Sequence, residues 1–373
     1  MSHQEFMNLA LQISKQGRIT APLNPWVGCV ILSKTNELIA TGFHRKRGEK
    51  HAESAALDTI PETQNLSDAI LYCTLEPCAF MSKTKLQPPC VDAIIERQIK
   101  NVVIGISDPD ERMKGLGIKR LQDAGINVTV LEDSKIQKSL RSYIHHRKTV
   151  RPYVVGKMAI SLDSKVALST GESKWISCEE SRLDAHILRA KSQAIIVGTN
   201  TAIQDQPQLT IRLPNDHPLK KISEERLLIR CFLDATGRVI NGPLLDVTLG
   251  PVIVFTSDNC LESTKTLWDS LKLEVITVPC INNKLDLDVM LEELGKRGIL
   301  QLLVEGGPNL MTNMIDRNLI DELVLYQAPI LLGNNGQSWY QGKEPISVKD
   351  AKKFRLHKTK TIGIDNKLIL MKF

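Results

Sequence analysis

Aromatic residues make up only 4% of the 373-residue chain, too few for a surface that stacks nucleic-acid bases, although the net charge is +6. The basic residues are scattered among acids, so the charge excess points to a small anionic partner and not to nucleic acid. No apolar run approaches the ~18 residues of a membrane span, and a soluble, cytoplasmic protein without a membrane partner is expected. Eight cysteines are too few for a disulfide scaffold of this length. Six of them, Cys29, Cys73, Cys178, Cys231, Cys260 and Cys280, lack paired spacing and are expected to be reduced and structural. There is no internal repeat and no low-complexity tract. The Gly-x-Gly-x-x-Gly fingerprint is also missing, which excludes a dinucleotide fold of the Rossmann type.

What is present is ordinary globular composition, 42% hydrophobic and 24% charged, in a chain longer than one core usually supports. Two domains are expected. Met1–Gln16 reads as an amphipathic helix, with Phe6, Leu9, Ala10 and Ile13 on one face. Strand-like runs follow at Gly28–Ser33, Glu37–Phe43, Ala69–Leu75, Asn101–Ile106 and Asn127–Leu131. Helical runs follow His51 and Cys90 and cover Ile118–Ala124. This alternation predicts an α/β sheet with helices on both faces over residues 1–146. The basic stretch Arg141–Arg151 reads as a solvated helix end entering a linker, and a second domain is expected over 151–373.

The first domain carries His51-Ala52-Glu53, then Pro77-Cys78, then Pro88-Pro89-Cys90. One imidazole and two thiolates are three ligands of a tetrahedral zinc site whose fourth position stays open. Water bound there has its pKa lowered to roughly 7. Glu53 is left to move protons, the layout of zinc nucleobase deaminases. Alone, a His-x-Glu is a polar helix entry and two cysteines are small buried hydrophobes. Their co-occurrence at two strand-to-helix turns favours one zinc per chain, held by His51, Cys78 and Cys90. Eleven residues separate Cys78 from Cys90, where many deaminases have two.

Asn24-Pro25-Trp26-Val27-Gly28-Cys29-Val30, His51-Ala52-Glu53, Thr74-Leu75-Glu76-Pro77-Cys78 and Pro88-Pro89-Cys90 together resemble the deaminase half of the bifunctional riboflavin-biosynthesis deaminase/reductase family. Two loops depart from the family pattern: Ala79–Gln87 is longer than usual, and Asp108-Pro109-Asp110 stands in place of Asp-Pro-Asn. The second half continues the likeness in Pro152–Asp163, Gly171–Ile176, Ala194–Thr201, Asp205–Arg212 and Leu302–Leu310. The resemblance implies a cytidine-deaminase-like three-layer α/β/α sandwich followed by a dihydrofolate-reductase-like α/β domain. It implies zinc and NADPH as cofactors, a phosphorylated ribosylaminopyrimidine as substrate, and a homo-oligomer, dimer or tetramer. NADPH contacts are implied at Ala159, Trp175, Thr201, Asp205 and the run Gly307, Pro308, Asn309, Leu310, Met311, Thr312 and Asn313. Substrate contacts are implied at Ser173, Arg189, Leu209, Arg212 and Glu305, with Lys157 directed at the same cleft. Asp234-Ala235 lacks the hydroxyl that the family often has after the aspartate.

Residue chemistry fits these roles. Arg189 and Arg212 are fixed cations suited to a phosphate, although an arginine on a helix such as Glu179–Lys191 is by default solvated. Gly306-Gly307 at the end of an apolar strand lets backbone approach a pyrophosphate, and a Cβ at Gly307 would fill that space and restrict any positive φ. The expected activity is removal of the C2 amino group of 2,5-diamino-6-(5-phosphoribosylamino)pyrimidin-4(3H)-one, then NADPH-dependent reduction of its ribosyl side chain to ribityl. Two alternatives stay open: a nucleic-acid deaminase with an accessory domain, and a diverged paralogue acting on another pyrimidine-derived metabolite with one site serving only to bind.

Overall fold

The computed structural model describes every residue except Met1, 21–23, Arg47, 81–87, Arg112, Glu225 and Asn283, and for Ile19, Thr20 and Ile222 the backbone only. The chain forms two compact units, Met1–Val150 and Arg151–Phe373. None of the described helices is long and apolar enough to cross a membrane.

The first unit is built on a five-stranded sheet of β1 (Gly28–Leu32), β2 (Leu38–Phe43), β3 (Ile70–Leu75), β4 (Asn101–Ile106) and β5 (Asn127–Val130), in the order β2-β1-β3-β4-β5. Its helices are α1 (His3–Ser14), α2 (Gly17–Thr20), α3 (Ala52–Leu57), α4 (Cys90–Glu96), α5 (Leu116–Asp123), α6 (Ser134–Ser139) and α7 (Arg141–Thr149). Helix α1 starts in a capping box in which the Ser2 backbone N–H donates to Glu5 Oε2 at 2.7 Å. All five residues of β1 are buried, as expected of a strand covered on both faces. Two glycines explain how the helices come close. A Cβ at Gly28 would lie 2.1 Å from the Ala10 carbonyl oxygen of α1, and one at Gly42 2.2 Å from that of Ala52 in α3. Gly42 pairs with Cys29, the neighbour of Gly28, so α1 and α3 lie on opposite faces of the sheet. That is the three-layer sandwich.

The stretch Arg141–Arg151 is a helix end as expected, but not a wholly solvated one. Residues 141–149 are helical, Ser142, Tyr143 and His146 are buried, and Val150 closes the helix in a left-handed conformation at φ 57°. The buried positions are three and four apart, Tyr143 to His146 and Ser142 to His146, so they share one face of a helix that is otherwise charged.

The second unit contains β6 (Tyr153–Ile160), β7 (Lys165–Ala167), β8 (Ala194–Gly198), β9 (Ile229–Leu233), β10 (Val252–Thr256), β11 (Glu274–Thr277), β12 (Cys280–Ile281), β13 (Lys284–Leu285), β14 (Gln301–Val304), β15 (Glu322–Gln327), β16 (Gln337–Ser338), β17 (Phe354–Ile362) and β18 (Asp365–Lys372). Its helices are α8 (Glu179–Ala190), α9 (Thr199–Gln204), α10 (Lys220–Glu224), α11 (Glu262–Ser270), α12 (Leu287–Lys296) and α13 (Pro308–Asp316). Nine strands form one sheet in the order β11-β10-β9-β8-β14-β6-β15-β18-β17. The first seven are mutually parallel, and β18 and β17 close the edge antiparallel. Val154 and Met158 of β6 join a core with Met290, Leu294 and Met311, whereas Tyr153 and Val155 join a core with Phe232 and Trp268. The alternation along one strand shows helices on both faces.

Candidate active sites

In the first unit, His51 is the N-cap residue of α3, Cys78 follows β3, and Cys90 opens α4. His51 Nδ1 is 3.4 Å from the sulfur of Cys78 and 3.4 Å from that of Cys90, and the two sulfurs are 3.3 Å apart. A tetrahedral zinc with Zn–S of about 2.3 Å and Zn–N of about 2.0 Å would spread such donors to ~3.5–3.8 Å, so the triangle needs only small expansion. These three form the candidate metal cluster among the described residues. The Cys90 backbone N–H donates to Cys78 Sγ at 3.3 Å, which orients that sulfur.

Glu53, in the first turn of α3, is 3% exposed. Burial, and then the Cys78 sulfur, push its carboxyl above the usual range, opposed by His51. A second imidazole, missed in the sequence reading, walls the site. His44 lies just past β2 with its ring 5.2 Å from that of His51, edge to face. Its Nδ1 meets the Lys50 carbonyl at 3.1 Å and its Nε2 meets Asn24 Nδ2 at 2.8 Å. With Nδ1 donating to the carbonyl and Nε2 accepting from the amide, the ring is neutral, and burial pushes its pKa down. The only signal in the sequence is a histidine at the end of a strand-like run, seven residues before His51. Residues 81–87 of the lengthened loop lie outside the described residues.

In the second unit a cleft of about 1310 Å³ opens at the carboxyl ends of β6, β8, β9 and β14, where parallel sheets place their ligands. It is lined by Ala159, Ser173, Trp175, Arg189, Thr201, Asp205, Leu209, Arg212, Glu305, Gly307, Pro308, Asn309, Leu310 and Asn313. Met311 and Thr312, the other two positions of the expected run, do not line it. The run is helical, so those two positions face the protein. Met311 is fully buried against Gly156 and its neighbours in the core, and Thr312 Oγ1 accepts from the Gln341 N–H at 2.8 Å. The positive φ allowed for at Gly307 is absent, because φ there is −66°. A Cβ at Gly307 would meet only Thr201 Oγ1, at 3.3 Å, and that hydroxyl accepts the Gly307 N–H at 3.1 Å.

Arg189 is not solvated. Its Nε and Nη2 donate to the two Glu305 oxygens at 2.7 and 2.8 Å, and Nη1 donates to the Thr210 carbonyl at 2.8 Å. Lys157 Nζ stands 3.9 Å from the same carboxylate. Burial alone would raise the Glu305 carboxyl, but Arg189 and then Lys157 override it and hold the pKa at about 2. One cation is thereby committed to Glu305. Arg212 is placed otherwise, with Nη1 3.4 Å from Gln208 Oε1 and its backbone N–H donating to His186 Nδ1 at 3.1 Å. Burial, then Arg189 and Arg212, push His186 down to about 4, so its ring accepts as a neutral base. Trp175 is 70% exposed with the Arg182 guanidinium 4.7 Å above its ring, offering a flat wall and not core. Asp234 accepts from the Gly237 and Val239 N–H groups, while Ala235 and Thr236 line the cleft. Arg238, Lys284 and Arg317 also line it and were missed. They come from the loop after β9, from β13 and from the end of α13, which are distant in the chain, and no local pattern marks them.

A His/Cys/Cys centre beside a buried glutamate, on a sheet sandwiched by helices, together with a ligand cleft over a doubly covered parallel sheet, defines a zinc-dependent deaminase fused to a reductase. Residues 1–106 match the cytidine and deoxycytidylate deaminase zinc-binding region, and residues 152–368 match the RibD C-terminal domain. The chain is 34% identical over 372 residues to the riboflavin biosynthesis protein RibD of Escherichia coli strain K12, covering 98% of each chain. It is 37% identical over 330 residues to the RibD protein of Chlamydia pneumoniae, covering 88% of this chain and 85% of the relative. Among solved structures, Acinetobacter baumannii RibD superposes with a TM-score of 0.87 at 31% identity, over 99% of this chain and 98% of that one. The chain belongs to the RibD family of bifunctional riboflavin-biosynthesis enzymes.

Proposed function

We propose that the first unit replaces the C2 amino group of 2,5-diamino-6-(5-phosphoribosylamino)pyrimidin-4(3H)-one by oxygen, consuming water and releasing ammonia, and that the second unit reduces the ribosyl side chain of the product to ribityl. The observation that carries this reading is the convergence of His51, Cys78 and Cys90 within 3.4 Å of one another beside the buried Glu53. A zinc ion held by those three would supply a Lewis-acidic position that acidifies water, and NADPH would supply the hydride. Glu53 takes the proton from the water and delivers it to the departing amine; its buried, raised carboxyl suits a group that is alternately base and acid. In the second unit Arg212 is the cation for the ribose phosphate, since Arg189 is bound to Glu305. The start of α13 at Gly307 to Asn309 faces the cofactor phosphates, and Trp175 walls the cofactor.

Glu53→Gln tests it. The amide has the size of the carboxylate but cannot cycle a proton, so ammonia release should fall by roughly 10²–10⁴ while NADPH oxidation on already deaminated substrate is kept. A fall of less than about tenfold contradicts the role given to Glu53.

A further inference from the structure

We propose that helix α5 positions both thiolate ligands of the zinc centre, with Glu76 and Arg120 as the positioning residues; this rests on the zinc reading above. Glu76 directly precedes Pro77-Cys78 and is 5% exposed. Its Oε2 accepts the backbone N–H groups of Asp108 and Gly115, each at 3.0 Å, and its Oε1 those of Gly117 at 2.8 Å and Ile118 at 3.3 Å. Four donors on one buried carboxylate fix it and tie it to the start of α5, whose unsatisfied N–H groups and positive dipole end it serves. Gly115 makes the geometry available by taking φ +78°, a conformation that side chains disfavour. Gly117 then sits so close that a Cβ would lie 2.1 Å from the Pro77 carbonyl oxygen.

One turn along α5, Arg120 reaches the other side of the same cysteine. Its Nη1 donates to the Ala79 carbonyl at 2.6 Å and its Nη2 to Asp92 Oδ1 at 2.5 Å. Ala79 follows Cys78, and Asp92 stands in the first turn of α4, which Cys90 opens. A single helix thus holds the chain before Cys78, the chain after it, and the turn bearing Cys90. The Arg120–Asp92 pair is half exposed and would contribute little as an isolated ion pair. Its significance is geometric, because the planar fork spans two turns that must bring two sulfurs to 3.3 Å.

The variants follow from the donor sets. Glu76→Gln turns an NH₂ toward two backbone N–H groups, donor against donor. Arg120→Lys keeps the charge but cannot bridge Ala79 and Asp92. The full-length wild type and both variants, stripped of metal, are titrated with zinc against a colorimetric chelator. The cobalt-loaded absorption spectrum reports the ligand geometry independently of activity, and NADPH binding and circular dichroism report folding. Expected is a loss of roughly tenfold or more in zinc affinity and an altered cobalt–thiolate spectrum in both variants, with NADPH binding unchanged. Folded variants that bind zinc and cobalt as the wild type does would overturn the proposal. If Glu76→Gln does not fold, Arg120→Lys decides by the same readouts. A wild type that binds no zinc would overturn the zinc reading itself, and this proposal with it.

Discussion

Removing Arg189 tests how the reductase cleft is held together. In Arg189→Met the buried Glu305 carboxylate loses both short bonds and keeps only Lys157, 3.9 Å away. Breaking a buried pair by removing one partner costs ~3–5 kcal/mol, and the remaining lysine places this case near the lower end, about 3 kcal/mol. Glu305→Gln leaves two cations facing each other without their acid and is expected to cost a similar ~3 kcal/mol. The double variant removes attraction and orphaned charge together, so its cost should fall short of the additive ~6 kcal/mol by ~1–3 kcal/mol. Urea unfolding followed by tryptophan fluorescence measures this, because Trp175, Trp268 and Trp339 lie in the second unit and only Trp26 in the first. With a slope near 3 kcal/mol per molar, 3 kcal/mol moves the midpoint by about 1 M. Costs that add to within ~0.5 kcal/mol, or a midpoint shift under ~0.3 M for Arg189→Met, would refute the coupled buried cluster.

Three further outcomes are expected. Cys78→Ala should lose most of its zinc by elemental analysis, and full retention would show that the ligand set is wrong. Gly307→Val should fold normally, since the added carbon meets only the Thr201 hydroxyl at 3.3 Å, yet weaken NADPH binding by at least about tenfold, ~1.4 kcal/mol, in a fluorescence titration; wild-type affinity would remove the phosphates from this turn. The second unit should lose stability on acidification. Glu305 is held at about 2 against an ordinary 4.5, so its contribution is complete above pH 4.5 and drains away as the pH falls toward 2. A urea midpoint that is flat over that window in the wild type would contradict the cause assigned to that shift.

Much of this was legible in the sequence because the chemistry is local. His51-Ala52-Glu53 and Pro77-Cys78 carry their identity in adjacent residues, and the strands that aim them are short runs with clear turns. The alternation of strands and helices likewise predicted the sandwich, down to strand β4 at Asn101–Ile106. What escaped depends on the third dimension. In the sequence Arg189 is an arginine on a helix, and Glu305, the carboxylate it grips, is 116 positions away. Met311 and Thr312 sit in the middle of a continuous run in sequence, but in α13 they lie on the side turned away from the cleft that Pro308, Asn309 and Asn313 line. His44 is joined to the metal site by the turn after β2, and Asn24 by its contact with that ring. The nucleic-acid deaminase loses its ground once the second half is a RibD C-terminal domain. His51, Cys78 and Cys90 stand together, and fourteen of the sixteen expected contact positions line one cleft.

The most direct test uses the pure full-length protein, the diaminopyrimidinone phosphate, and separate assays for ammonia and NADPH. Ammonia equimolar with substrate should appear without NADPH, and on adding NADPH an equimolar amount should be oxidised. Ammonia release without any subsequent NADPH oxidation, or NADPH oxidation with no ammonia released, would contradict the assignment of the two reactions to the two units.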